Sequence, residues 1–327
     1  MILSFEQCNS IIDNHLRSLS TANRNPLGLY EPIDYVMSCG GKRIRPILTL
    51  MACNIFSDNF ENALAPAAAF EIFHNFTLMH DDLMDNADVR RNRPTVHKRW
   101  NANTAVLSGD AMQILAFQQM CDAKPDVLPA LLDTFTQTAL EVCEGQQYDM
   151  EFEQRDDVSI EEYITMIRLK TAMLLAACIK AGAICGGASE EYVKLLHRFG
   201  IYIGISFQIQ DDWLDLYGDP DVFGKAIGGD ILSGKKTFLL LTALKEADEK
   251  TAKELMTLLK DKKIANDKKI ENVRAIYDYL DVSNIAQEAV IEYYHKSTYH
   301  ISDVLISDPS RKKPLEMLAK KLTSRTK

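Results

Sequence analysis

The 327 residues, 46% hydrophobic and 25% charged, carry enough apolar surface for the core of one large domain or two ordinary ones. A formal net charge of −9 argues against nonspecific nucleic-acid binding, although a local basic patch can still receive a small anion. Seven cysteines with no Cys-x-x-Cys pair argue against a disulfide framework or a zinc site and are read as buried thiols.

No apolar run has membrane-spanning length: Leu174–Ile179 is broken by Lys180, and Thr237–Leu241 is short. Met1–Ser10 carries Glu6 and lacks the pattern of a signal peptide, so a cytoplasmic location without an integral membrane segment is expected. Apolar positions recur at three and four, and no convincing period-two segment is bounded by turns. The chain reads as all-α. Without a short repeat, low-complexity tract or Pro/Gly/Ser-rich linker, residues 1–327 are expected to form a single domain.

In chain order, the first stretch of interest is Gly40-Gly41-Lys42-Arg43-Ile44-Arg45-Pro46. It sets three cations beside two glycines at a loop-to-helix junction, where backbone N–H groups and basic side chains together suit a phosphate. A solvated basic turn reads the same way in isolation. The run Ala67–Phe73 is a buried helix, and it leads into Leu78-Met79-His80-Asp81-Asp82-Leu83-Met84-Asp85. Asp81 and Asp85 lie one helical turn apart with Asp82 beside them, so three carboxylates crowd one edge and repel one another. Oxygen-only ligands at this spacing suit Mg²⁺ shared with a substrate phosphate; a helix cap or solvated acidic face accounts for a lone triplet equally well. Arg90-Arg91-Asn92-Arg93 follows closely. Such arginines either bind diphosphate bidentately or pair with neighbouring acids.

Ser159-Ile160-Glu161-Glu162 is a capping-box signature opening a helix that reaches about Ile184, stops at Gly186-Gly187 and carries Lys170-Thr171 in its interior. Gly200 and Gly204, four apart in a bulky helix, permit close helix packing. The acidic spacing then recurs at Asp211-Asp212-Trp213-Leu214-Asp215, again after an apolar stretch. Repetition weakens the bland reading, and the two triplets are expected to face each other, holding metals with a polyanion between them. A glycine-punctuated loop with Lys225, Asp230 and Lys235 follows. Residues 246–269, dense in Lys, Glu and Asp, read as exposed helices and turns, and the basic end, 320–327, as a frayed, solvated tail.

From Gly40 to Thr237 these motifs, in this order, resemble the trans-isoprenyl diphosphate synthases, or polyprenyl synthetase family, of short-chain type. The resemblance implies an all-α bundle of long helices around a deep central cavity and a homodimer. It implies a Mg²⁺-dependent prenyltransferase that joins isopentenyl diphosphate to an allylic diphosphate, with about three ions at the site and Mn²⁺ as a substitute. By the same resemblance, Asp81, Asp85 and Asp211 are metal ligands, supported by Asp82, Asp212, Asp215 and Asp230. Arg90, Lys170, Lys225 and Lys235 match the residues that hold the allylic diphosphate. Gly41, Lys42, Arg45, His74 and Arg91 match the isopentenyl diphosphate pocket. The Lys170 carbonyl, Thr171 and Gln208 match groups whose dipoles face a transient carbocation. Divalent ions and cations then neutralise the leaving diphosphate so that the allylic C–O bond ionises in a water-poor cavity.

Two departures stand out: Asn92 replaces a glycine common in the family, and the first acidic motif lacks the two-residue insertion of some relatives. The growing tail should run along the helix bearing Asp81, so Phe76 and Thr77, five and four residues before it, form the floor, with Phe73 a further turn down. One aromatic there favours a C15 to C20 product, geranylgeranyl over farnesyl diphosphate; plain core packing of both phenylalanines is the alternative. A terpene or squalene-type synthase and a noncatalytic synthase partner are the rival readings. The Gly41-Lys42-Arg45 pocket disfavours the first and the two intact acidic triplets the second.

Overall fold

The computed structural model describes residues 1–219 and 227–324. They are almost entirely helical. Helices α1 (Phe5–Ser18), α2 (Leu27–Ser38), α3 (Ile44–Phe56) and α4 (Leu64–Met84) precede a small hairpin, β1 (Val89–Arg90) and β2 (Arg93–Pro94). Next come α5 (Val96–Arg99), α6 (Ala102–Cys121), α7 (Leu128–Glu153), α8 (Ile160–Ile167), a π-helical turn (Arg168–Ala172), α9 (Met173–Cys185) and α10 (Glu190–Tyr217). The remaining described helices are α11 (Gly229–Ser233), α12 (Phe238–Glu246), α13 (Glu249–Lys260), α14 (Asn266–Tyr279), α15 (Val282–Ser302) and α16 (Lys313–Thr323). No helix among the described residues is long and apolar enough to cross a membrane.

The chain divides into two compact units, each drawn from separate segments. The first comprises Met1–Thr136, Ala177–Leu196 and Leu305–Leu315; the second comprises Gln137–Ala176, His197–Val304 and Glu316–Lys327.

In the first unit α4 is the central element. Its Ala67, Ala68, Ala69, Phe70 and Phe73 are essentially inaccessible to water. Small residues let backbones close in: a Cβ at Gly109 of α6 would strike the His80 ring of α4, and one at Gly182 the Thr49 carbonyl of α3. Phe70, Phe73 and Phe117 gather around Phe135 with ring centroids 4.9–5.5 Å apart. Burying each such ring contributes roughly 1.5–3 kcal/mol.

In the second unit the Ser159 capping box is formed, with its hydroxyl accepting from the Glu162 N–H and the Glu162 carboxylate accepting from the Ser159 N–H. Gly200 and Gly204 of α10 do serve close packing, since a Cβ at either would collide with Ala176 or Ala172. Ser206, also on α10, donates to the Val290 carbonyl of α15 at 2.8 Å.

The all-α reading holds, with one small hairpin, β1–β2, where Arg91 and Asn92 adopt φ of 52° and 59° and reverse the chain too tightly for a helix. Three other expectations need correction. Three cysteines are not buried: Cys39 is half-buried, and Cys121 and Cys143 are exposed. Within the charged stretch 246–269, Leu255 is fully buried, and Lys269 is 7% exposed with its ammonium donating to the Leu259 carbonyl. The basic tail is a helix to Thr323, not a frayed end, because Leu315, Leu318, Ala319 and Leu322 form an apolar stripe that is buried; residues 325–327 lie outside the described chain.

Candidate active site

Asp81 and Asp82 occupy the last turn of α4 and Asp85 caps it, its N–H donating to the Asp81 carbonyl at 2.9 Å. The three carboxylates thus sit where the helix dipole is already negative, an arrangement that favours bound cations. A rotation of about 100° per residue separates their fates. Asp81 is partly accessible and Asp85 exposed, whereas Asp82 turns inward and is 6% exposed. Arg90 bridges the first two, with Nε 2.7 Å from Asp82 Oδ1 and Nη2 3.5 Å from Asp81 Oδ2. Burial pushes the Asp82 carboxyl up to about 6, against the pull of Arg90 and with the help of Asp81 and Asp85. Asp82 therefore anchors the hairpin, and Arg90 is held against the acids that it follows in sequence.

Arg91, at the hairpin turn, reaches back so that its Nη1 donates to the Gly40 carbonyl. Gly41 has φ of 138°, a conformation that favours glycine, and a Cβ there would meet the Arg91 guanidinium at 2.9 Å and push that side chain aside. Arg45 Nη1 lies 3.0 Å from His74 Nε2. Burial, reinforced by Arg45, Arg91, Arg90 and Arg43, drives the His74 imidazole well below its ordinary value. The neutral ring therefore accepts from Arg45, and the surrounding arginines form a basin of positive charge suited to a diphosphate. Lys42 is exposed at its edge. The third cation of the motif is structural: Arg43 is buried, with its guanidinium donating to Glu71, Asp13 and the Met37 carbonyl.

The second unit carries the other triplet on α10. Asp212 is 6% exposed and accepts from the Tyr163 hydroxyl at 2.5 Å, the Phe238 N–H at 3.0 Å and Gln208 Nε2 at 3.0 Å. Gln208 Oε1 accepts from the Thr171 hydroxyl at 3.0 Å. Asp211 and Asp215 are half-buried, and Asp215 accepts from the Asp230 N–H at 3.0 Å. Burial, together with Asp212, Asp215 and Asp211, pushes the Asp230 carboxyl up to about 8, with Lys235 opposing. Such crowding of half-buried oxygens calls for cationic charge and fits a divalent ion. Among the described residues no three His, Cys, Asp or Glu side chains close around one point.

Lys170 and Thr171 lie on the π-helical turn, whose extra residue per turn re-aims side chains. Gly145 admits its backbone, because a Cβ there would collide with the Lys170 N–H. Lys170 Nζ sits 2.5 Å from Asp149. Lys235 is half-buried, with its N–H donating to the Asp230 carbonyl at 3.1 Å. Lys225 lies outside the described residues. Of the expected chain-length residues, Phe73 and Phe76 are 1% and 8% exposed, with Phe76 packed between Phe73 at 5.5 Å and His80 at 4.8 Å. Thr77 is half-buried and donates to the His74 carbonyl.

Sequence reasoning missed Asp149, Tyr163, Glu71 and Asn75. The first two reach the site from 21 and 49 residues away from their partners, and no local pattern marks them. Glu71 and Asn75 fall on the Asp82 face of α4, and two polar residues in an otherwise apolar run were a readable signal.

Residues 27–280 match the family model described as polyprenyl synthetase. The chain is 42% identical over 240 residues to a short chain isoprenyl diphosphate synthase of Methanocaldococcus jannaschii, covering 73% of each. Its structure superposes on that of a geranylgeranyl pyrophosphate synthase with a TM-score of 0.94, 40% identity and full coverage of both chains. It is also similar, at a TM-score of 0.89 and 26% identity over 99% of this chain and 100% of the other, to a geranylgeranyl pyrophosphate synthase from Corynebacterium glutamicum complexed with isoprenyl diphosphate and magnesium. With its all-α isoprenoid synthase fold, this chain belongs to the polyprenyl synthetase family.

Proposed function

We propose that this chain is a trans-prenyltransferase of the cytoplasm that condenses isopentenyl diphosphate head to tail with an allylic diphosphate, yielding geranylgeranyl diphosphate. The observation that carries this reading is a carboxylate cluster with a nearby cation in each unit: Asp81, Asp82 and Asp85 with Arg90 paired to the first two, and Asp211, Asp212 and Asp215 joined by Asp230, on which the charge of Lys235 acts. Family membership, with a match running through segments of both units, supports treating 1–327 as one catalytic domain.

Asp81, Asp85 and Asp211 would hold Mg²⁺, about three ions in all with Mn²⁺ as a substitute, and Asp215 and Asp230 would orient the waters around them. Bound there, the metal supplies Lewis-acid neutralisation of the allylic diphosphate as its C–O bond breaks. Arg90, Lys170, Lys225 and Lys235 hold that diphosphate. Arg45, Arg91, Lys42 and the Gly41 backbone hold the second one, with His74 fixing Arg45. Thr171 and Gln208 present oxygen dipoles to the allylic cation while the alkene of isopentenyl diphosphate attacks it, and the departing diphosphate takes the proton. Phe73, Phe76 and Thr77 limit the tail. The cationic pocket of Gly41, Arg45, His74 and Arg91 favours this reading over a terpene or squalene-type synthase, which need not bind isopentenyl diphosphate.

We further propose a homodimer. On α6, Val106, Leu107 and Ile114 are 43%, 62% and 61% exposed, and a second copy would cover them. Sedimentation should show twice the chain mass.

The direct test incubates purified protein with Mg²⁺, isopentenyl diphosphate and dimethylallyl, geranyl or farnesyl diphosphate, and separates products by chain length. Elongation to C20 that chelation abolishes is expected. No elongation with any starter, or elongation indifferent to chelation, overturns the reading.

A further inference from the structure

Asp212 is the acceptor hub of the second unit. Its Oδ2 takes the Tyr163 hydroxyl and the Phe238 N–H, and its Oδ1 takes Gln208 Nε2. An ionised carboxylate only accepts, so the Gln208 atom facing it must be the NH₂ group. The amide oxygen is therefore turned to the opposite side, where the Thr171 hydroxyl donates to it. With three of roughly four acceptor directions occupied, Asp212 has little capacity left for an ion. Asp211 and Asp215, half-buried on either side of it, are better placed for that role.

We propose that Asp212, held in place by Tyr163, is a positioning residue that locks the orientation of the Gln208 amide rather than a metal ligand. The inference rests on the reading of Gln208 and Thr171 as the oxygen dipoles facing the allylic cation. An amide has two orientations of nearly equal shape and opposite polarity. In one the carbonyl oxygen stabilises developing positive charge; in the other an N–H pair repels it. Gln208 by itself does not choose. The choice is made by Asp212, which is anchored by a phenol on α8 and by the first N–H of α12.

The isosteric substitution Asp212→Asn reverses the choice. Its single oxygen must stay with the two donors, Tyr163 and Phe238, so its NH₂ faces Gln208, which has to turn and offer its own oxygen. The NH₂ of Gln208 then points towards Thr171. Steady-state kinetics should show kcat lower by roughly 100- to 1,000-fold, the size of effect seen when one aimed dipole is lost. The Mg²⁺ concentration for half-maximal rate and the KM for each diphosphate should stay within about twofold, since no ligand to metal or substrate is removed. A larger share of allylic diphosphate should be lost to water as prenyl alcohol.

In a Gln208→Ala background, Asp212→Asn should add less than about threefold, because the two residues act as one unit. Tyr163→Phe keeps the ring and removes one anchor, and it should move kcat and alcohol formation in the same direction by less. A Mg²⁺ requirement raised tenfold or more in Asp212→Asn, or losses that multiply in the double variant, overturns the lock. A wild-type chain that elongates no starter overturns instead the reading beneath it.

Discussion

Arg43 Nη1 donates to Glu71 Oε1 at 2.6 Å, with the two side chains 6% and 3% exposed. Arg43 precedes α3 with φ of 47°, a left-handed conformation that costs a residue with a side chain roughly 1–2 kcal/mol. The buried ion pair holds it there, and Glu71 is itself braced by Asn75 Nδ2 at 3.1 Å. The glycine loop that carries Lys42 and Arg45 is thereby tied to α4. Removing one partner strands the other charge, so Glu71→Gln should lower the free energy of unfolding by about 3–5 kcal/mol. Arg43→Gln should cost a similar amount, and replacing both with Met should cost less than either single change. Urea denaturation of the three variants checks the ordering.

Asn92 stands at the second central position of the hairpin turn with φ of 59°. Asparagine tolerates that region and glycine does so freely, which explains why this departure from the family pattern leaves the hairpin intact. Asn92→Gly should change stability by less than about 0.5 kcal/mol, whereas Asn92→Val should cost about 1–2 kcal/mol and disturb Arg91. A raised KM for isopentenyl diphosphate in the valine variant, with the KM for the allylic substrate unchanged, would register that disturbance.

The crowded carboxylates predict a pH dependence of the metal-free chain. Asp230 is raised from an unfolded value near 4 to about 8, first by burial and then by Asp212 and Asp215. Between those limits the folded chain keeps a proton that the unfolded chain has lost, so stability falls as pH rises through the window and levels off above it. His74, held neutral by burial and by Arg45, acts in the opposite sense below its ordinary value of 6.5, where the unfolded chain gains a proton and the folded chain does not. With a chelator present, the melting temperature should therefore decline from about pH 6.5 to about pH 8 and level off above that. Asp230→Asn should flatten that decline, and Mg²⁺ should do so by neutralising the cluster.

Phe76 is packed between Phe73 and His80 on the stretch of α4 leading to Asp81. Phe76→Ala opens space there, so products should lengthen, at a stability cost of about 3–5 kcal/mol. Thr77→Phe should shorten them. Chromatography of products made from farnesyl diphosphate reads both effects; unchanged lengths would assign the phenylalanines to the core alone.

Legibility in the sequence differed from one residue to the next. The helical spacing of Asp81 and Asp85 and the place of Arg91 shortly after them were legible because both are local properties of the sequence. The same spacing said nothing of Asp82 facing inward or of Arg43 being structural, because the face of α4 that meets other helices is set by those helices. The π-helical turn at Arg168–Ala172 was equally invisible. It interrupts an apolar run whose composition suits an ordinary helix, and the backbone of Lys170 packs against Gly145, 25 positions earlier.

Periodicity and the order of charged motifs determined the helical class, the family resemblance and the chemistry to be expected, since all three depend on residues close together in the chain. Tertiary packing alone decided which carboxylates remain accessible for ions and which become acceptors for Tyr163, Gln208 or Arg90. Burial and the donors brought in from distant helices set the ionisation and direction of each side chain, and neither is written at the position of the aspartate itself.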